Sequence, residues 1–249
     1  MNYLFASFDL FNSAAYKYKN KGWFIVYKKA LEEILKNTNN INEFTFWKAL
    51  GDELVFKKEL SVKNLCEDIL KVNEVMRSII ESIYKTYKTT NPDIKQISIK
   101  TTMWIIHVDN GDTGSDYKLD INGIDDYIGK EMDTGFRISS YALRSKTILS
   151  ASIINILLNN KASILNNIRI IGYSKLKGVW DNNEYPICVY FRNRNIEDSF
   201  HEPEKNINLV KEFLEKLKKD KKAGLISSSN FKEYLDYLGI KQDYDEKFV

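Results

Sequence analysis

The spacing of apolar side chains changes character several times along this chain, and the order of those changes limits its possible folds more than any single residue does. Residues 3–8 are a short, nearly continuous apolar run, the pattern of a buried strand. The chain then turns through residues 9–13, where Ser13 is placed to cap a helix. Phe24, Tyr27, Leu31, Ile34 and Leu35 follow at three- and four-residue spacing, an amphipathic helix that ends in the Asn/Thr cluster at 37–40. Residues 44–48 and 53–56 are rich in β-formers on either side of Gly51 and Asp52, which predicts a hairpin with Asp52 at its tip. Val62, Leu65, Ile69, Met76, Ile79, Ile80 and Ile83 mark a long helix, broken at Asn91 and Pro92. A strand is expected over 97–108, a loop of turn formers over 109–114 and a helix from about Asp133. A short strand and helix share 148–158, and two more strands fall at 168–171 and 185–191.

The resulting order, βαββα, then β, then αββ, predicts an α+β fold of the ferredoxin-like kind: an antiparallel-rich sheet with helices on one face. Residues 204–249 differ. Leu209, Phe213, Leu214 and Leu217 form a helical stripe beside a lysine-rich run, so the chain divides into a domain at 1–203 and a C-terminal helical extension at 204–249. The lysine run is expected to be a solvated helix face.

Composition narrows the function classes. Two cysteines and two histidines suit neither a Cys/His zinc site nor a disulfide framework, which points to a reducing cytoplasm. No apolar run approaches the roughly 20 residues that cross a bilayer, and the start lacks the basic segment of a signal peptide. Thirty-seven Lys and Arg against 34 Asp and Glu leave a formal charge of +3, too little to imply a nucleic-acid partner. His107, on an apolar strand, reads as a core histidine with a hydrogen-bond partner.

Asp9 follows the first strand, and Asp52 lies between two β-rich stretches. Two carboxylates on neighbouring strands can hold a pair of divalent ions against a triphosphate, the minimum apparatus for in-line phosphoryl transfer. Taken singly, each is an ordinary turn residue. A third segment, 126–137, carries Asp126, Gly129, Met132, Asp133, Gly135 and Arg137, and Arg137 would bring positive charge to the transition state.

In order and spacing these three segments resemble the class III nucleotide cyclases, in which a metal Asp ends the first strand and a second follows in a Lys-x-x-Gly-Asp hairpin, here Lys48 to Asp52. The third segment is similar to that family's Asp-x-x-Gly-x-x-apolar-Asn-x-small-x-Arg signature, with Asp133 standing where Asn is usual. Leu176, Lys177 and Gly178 resemble its closing element. Asp9 and Leu10 followed by Ser13, then residues 51–54, and above all Asp133, Gly135, Phe136 and Arg137, look like the pyrimidine nucleotide cyclases of bacterial Pycsar antiphage systems. Asn12 stands where cyclases often have Gly, and Ala14 where that branch often has Thr.

The resemblance implies two Mn²⁺ or Mg²⁺ ions on Asp9 and Asp52, with the Leu10 carbonyl completing one shell. It implies substrate contacts along Phe8, Leu10, Asn12 and Ser13, a base read by Lys48 and Asp126, and catalytic roles for Arg137 and Asp133. UTP, with CTP behind it, is the implied substrate, and a homodimer shares each site between subunits. A separate cyclic-nucleotide-binding effector would sense the product, with no nucleic acid or membrane as partner. Lys48 and Asp126 fit an adenine edge as well, so an adenylate cyclase is the alternative, and an inactive cyclase-like binding or dimerisation module is the alternative of another class. Trp47 offers either bulk that narrows the base pocket or a core side chain.

Overall fold

A computed structural model of the chain describes residues 1–38, 41, 43–108, 116–121, 123–179 and 184–192. The loop at 109–114 and the extension at 204–249 lie outside the described residues. The elements are β1 (Asn2–Phe11), α1 (Ser13–Lys19), α2 (Trp23–Thr38), β2 (Thr45–Leu50), β3 (Glu53–Glu59), α3 (Leu65–Tyr87), β4 (Ser98–His107), β5 (Tyr117–Ile121), β6 (Ile124–Ile128), α4 (Lys130–Ser139), β7 (Thr147–Leu149), α5 (Ala151–Asn159), β8 (Ile168–Lys175) and β9 (Glu184–Tyr190). Seven strands make one sheet in the order β2-β3-β1-β4-β7-β9-β8, while β5 and β6 form a separate hairpin. All pairs in the large sheet are antiparallel except β4 with β7. The α+β class expected from the element order is the class observed.

Strand β1 lies inside the sheet, between β3 and β4, and both of its faces are apolar. Leu4, Ala6, Phe8 and Leu10 point into a core roofed by α2, α3 and α5, which contribute Val26, Ala30 and Ile34, then Leu65, Ile69 and Met76, then Ile153 and Leu157. Tyr3 and Phe5 point the other way, joining Trp47, Val55, Trp104, Ile106, Tyr127 and Met132. Helix α4 covers this second face, so the helices occupy both faces rather than one.

Several boundaries differ from expectation. Strand β1 runs on through Phe11, because Leu10 and Phe11 pair with Ile99 and Ser98. Asp9 is therefore inside the strand. Ser13 is the first residue of α1 and not its cap; Asn12 takes that place in the left-handed region (φ 62), with no side-chain capping bond. The first helix is broken between Lys19 and Trp23, and Phe24 is 57 % exposed, since α2 buries Val26, Tyr27, Ala30 and Ile34 instead. Helix α4 starts at Lys130 rather than near Asp133. His107 is no core histidine: its Nδ1 lies 2.8 Å from both Glu131 carboxylate oxygens, with its side chain 45 % exposed. That ion pair, opposed by burial, lifts its pKa.

Candidate active site

Strand alternation sends Asp9 to the α4 face of the sheet. There the register sets Glu53 of β3 on one side of it and Lys100 of β4 on the other. Lys100 Nζ lies 3.0 Å from Asp9 Oδ2. Asp52 reaches the same place from the tight β2–β3 turn, whose Gly51 has φ +66. Burial raises the Asp9 pKa; Lys100 opposes the rise, and the Asp52 charge adds to it. Burial likewise pushes the Tyr27 phenol up to about 12, and Asp52 and Asp9 push the same way. The two carboxylates thus share one electrostatic neighbourhood.

Asp52 Oδ2 is buried without a hydrogen-bond partner among the described residues. Lys17 Nζ lies 3.7 Å from that oxygen, too far for a hydrogen bond, so Asp52 has only a loose counter-charge and the pair suits a hard divalent ion with oxygen ligands. Among the described residues no three His, Cys, Asp or Glu side chains are grouped to hold a metal. Ions here would draw on two side chains plus backbone, substrate or solvent oxygens, the habit of Mg²⁺.

The side chains of Phe8 and Leu10 are buried in the helix-side core, opposite Asp9. They cannot meet a substrate, and only their backbone atoms are available to one. Asn12 lies in the left-handed region, which Asn tolerates better than most residues. It turns the chain from Asp9 toward Ser13.

Lys48 and Asp126 are brought together, Nζ lying 2.9 Å from each carboxylate oxygen. Burial works against ionisation of Asp126, but the Lys48 hydrogen bond and charge, with a bond from Tyr127 N–H, outweigh it and lower its pKa. Beside them, Trp47 is buried against Phe5 and Tyr127, and its Nε1–H donates to the Asp125 carbonyl at 2.7 Å. Trp47 is a core side chain, with the Lys48 ammonium 4.4 Å from its ring centroid.

Helix α4 carries the third segment. Asp116 fixes its start, accepting from the N–H of Glu131 at 3.0 Å and of Met132 at 2.7 Å. Gly129 has φ +149, and a Cβ there would stand 2.7 Å from the Asp116 Cα, so no other residue fits. At the other end Ser139 Oγ donates to Glu53 Oε1 at 3.1 Å, which seats the helix beside Asp9. Arg137, two residues earlier, points about 200° away around the helix. Its guanidinium lies near Gly178, where a Cβ would be 3.7 Å from Nη2, and its Nε is buried without a hydrogen-bond partner among the described residues. Asp133, one turn before it on the same face, is exposed. Among the described residues Arg137 forms no contact with Asp9 or Asp52.

Glu53, Lys100, Lys17 and Asp116 were not singled out from sequence. Glu53 adjoins Asp52 and could have been found; the others become visible only through strand register or long-range contact.

No family model and no curated protein matches the chain. Solved structures do. The adenylyl cyclase CyaB from P. aeruginosa is 13 % identical, covering 78 % of this chain and 95 % of that one, with a TM-score of 0.51. An adenylate/guanylate cyclase/hydrolase from Silicibacter pomeroyi is 12 % identical, with coverages of 78 % and 98 % and a TM-score of 0.53. A bacterial light-regulated adenylyl cyclase is 10 % identical, with coverages of 76 % and 52 % and a TM-score of 0.55. At such identities the likeness is one of fold: the chain has the fold of class III cyclase catalytic domains.

Proposed function

We propose that this chain is a nucleotide cyclase, converting UTP or, after it, CTP to the 3′,5′-cyclic monophosphate and pyrophosphate. The observation that carries the reading is the convergence of Asp9 and Asp52, whose buried Oδ2 has no hydrogen bond and only the Lys17 ammonium 3.7 Å away, on a cyclase-like fold. In the reaction the ribose 3′ oxygen loses its proton and attacks the α-phosphorus, and the bond to the pyrophosphate oxygen breaks. Asp9 and Asp52 would hold two Mn²⁺ or Mg²⁺ ions, which would supply a lowered pKa for the attacking hydroxyl and neutralising charge for the triphosphate. Backbone groups from Leu10 to Ser13 face the phosphates, Lys48 and Asp126 meet the base, and Arg137 with Asp133 serves the α-phosphoryl group.

Arg137 points away from its own chain's Asp9, which supports a homodimer in which each site takes Asp9 and Asp52 from one subunit and Arg137 from the other. The outward face of the β5–β6 hairpin supports it as well. Tyr117, Leu119 and Ile128 are exposed there and share that face with Asp126 by register. An apolar face of this kind favours burial against a partner. The pyrimidine preference, a role in antiphage defence and a separate cyclic-nucleotide-binding effector rest on the resemblance of residues 133–139 to the Pycsar branch. Residues 1–203 would form the catalytic domain, with 204–249 as a helical extension.

Incubating the full chain with Mn²⁺ and all four triphosphates in competition, followed by chromatography, tests the reading. Cyclic UMP or cyclic CMP is expected to dominate, and the Asp52→Ala protein is expected to make none. Cyclic AMP or cyclic GMP as the main product would refute the pyrimidine choice alone; no cyclic product at all would refute the cyclase.

A further inference from the structure

Each of the two converging carboxylates has a lysine seated on it, and each lysine has a second seat within reach. Lys100 stands directly across from Asp9 in the β1–β4 register, with side chains only 16 % and 21 % exposed and an N–O distance of 3.0 Å. Its Nζ is also 3.4 Å from the Ser139 carbonyl. That oxygen, which also accepts from Ala142 N–H at 3.0 Å, lies in the last turn of α4, where the dipole favours a cation. Lys17, from α1, sits 3.7 Å from Asp52 Oδ2. Its Nζ is also 4.8 Å from the Tyr27 ring centroid and 5.4 Å from that of Trp23, within the range of a cation–π contact.

We infer that Lys100 and Lys17 are positioning residues that act as resident counter-ions, holding Asp9 and Asp52 in place until divalent cations displace them to their second seats. The inference rests on the cyclase reading for the identity of the displacing ions. Its physical basis is repulsion. Asp9 feels the like charge of Asp52 and itself repels Glu53, and without counter-ions this repulsion would splay the β2–β3 turn away from β1. A divalent ion on the same oxygens removes that need and at the same time repels both ammonium groups. Lys17 is the more exposed and the more loosely seated, so it leaves first, toward the ring faces of Tyr27 and Trp23. Lys100 is held by strand register and shifts only as far as the Ser139 carbonyl. The lysines therefore preserve the carboxylate geometry and compete with the ions for it.

Manganese binding to the full chain without nucleotide, followed by electron paramagnetic resonance, reads this competition directly. Lys17→Met and Lys100→Met are each expected to tighten Mn²⁺ binding on the order of three- to tenfold, from the loss of one like charge near the ion. Lys17→Arg and Lys100→Arg, which keep the charge, are expected to stay near the wild-type affinity. In chelator the Met variants should melt below wild type, and the gap should close as Mn²⁺ saturates them. Should Lys100→Met fail to fold, the half-exposed Lys17 carries the test. Unchanged or weaker Mn²⁺ binding in folded Met variants of a Mn²⁺-binding wild type would overturn the inference and leave the cyclase reading intact. A wild type that neither binds Mn²⁺ nor cyclises any triphosphate would overturn both.

Discussion

Gly135 sits where α4 presses on the Trp104 indole, and a Cβ there would stand 2.3 Å from the ring. The indole cannot yield, being fully buried and stacked on Phe5 at 5.4 Å. Alanine in a helix is ordinarily better than glycine by about 1 kcal/mol, but overpacking a filled core costs about 1–3 kcal/mol. The clash wins, because relief requires α4 to lift by more than an ångström, carrying Arg137 and Asp133 with it. Gly135→Ala is expected to lower thermal stability and to reduce turnover on the order of a hundredfold, the usual effect of an ångström-scale misplacement. A variant as stable and active as wild type in melting and turnover assays would show that α4 has slack the packing does not suggest. Gly135 is thus a packing residue inside a functional segment, which the spacing of that segment alone does not reveal.

Among the elements, α3 is docked on β3 partly through a buried ion pair. Lys58 Nζ lies 3.1 Å from Asp68 Oδ1, with side chains 1 % and 0 % exposed. Lys58 shares the helix-side face of β3 with Leu54 and Phe56, so its alternation is that of a core residue although its chemistry is not. Lys58→Met would remove the ammonium that faces the fully buried Asp68 carboxylate and is expected to cost about 3–5 kcal/mol in urea denaturation. Lys58→Met combined with Asp68→Leu should recover most of that loss, since a well-packed apolar pair of similar volume is often neutral or stabilising. A double variant no more stable than the single would show that other polar contacts in this region, not the pair, set the cost. The β5–β6 hairpin has a different lesson. Asn122-Gly123 between Ile121 and Ile124 is a strong hairpin signal in the sequence, and Gly123 has the positive φ of 78 that such a turn uses. Tyr117, Leu119 and Ile121 alternate with Lys118 and Asp120 as well, so the hairpin is legible locally; what the pattern does not tell is that its apolar side stays exposed instead of joining the core.

For the whole molecule, the direction of Arg137 decides the stoichiometry of the proposed site. If the arginine acts on a neighbour's substrate, two inactive variants should complement each other. Mixing Asp52→Ala with Arg137→Ala protein, after subunit exchange has been verified, is expected to restore up to about a quarter of wild-type activity, because half of the dimers are mixed and each has one intact site of its two. Background activity in such a mixture would mean that each chain completes its own site. Among the described residues no helix is long and apolar enough to cross a membrane.

The kinds and order of most elements, the hairpin with Asp52 at its tip and the apolar strand that leads to Asp9 are legible in local pattern, because hydrophobic period and turn chemistry act over one or two helical turns or a single hairpin. The sequence also held the two carboxylates and the 126–137 segment that set the functional reading. Tertiary structure decided the rest. It alone joined Lys48 to Asp126 and Lys100 to Asp9, buried Trp47, exposed His107 against Glu131 and turned Arg137 away from its own carboxylates. Those outcomes depend on register between strands distant in the chain and on which face a helix presents once packed. A local pattern carries no record of either, because the partner that completes each contact lies tens of residues away.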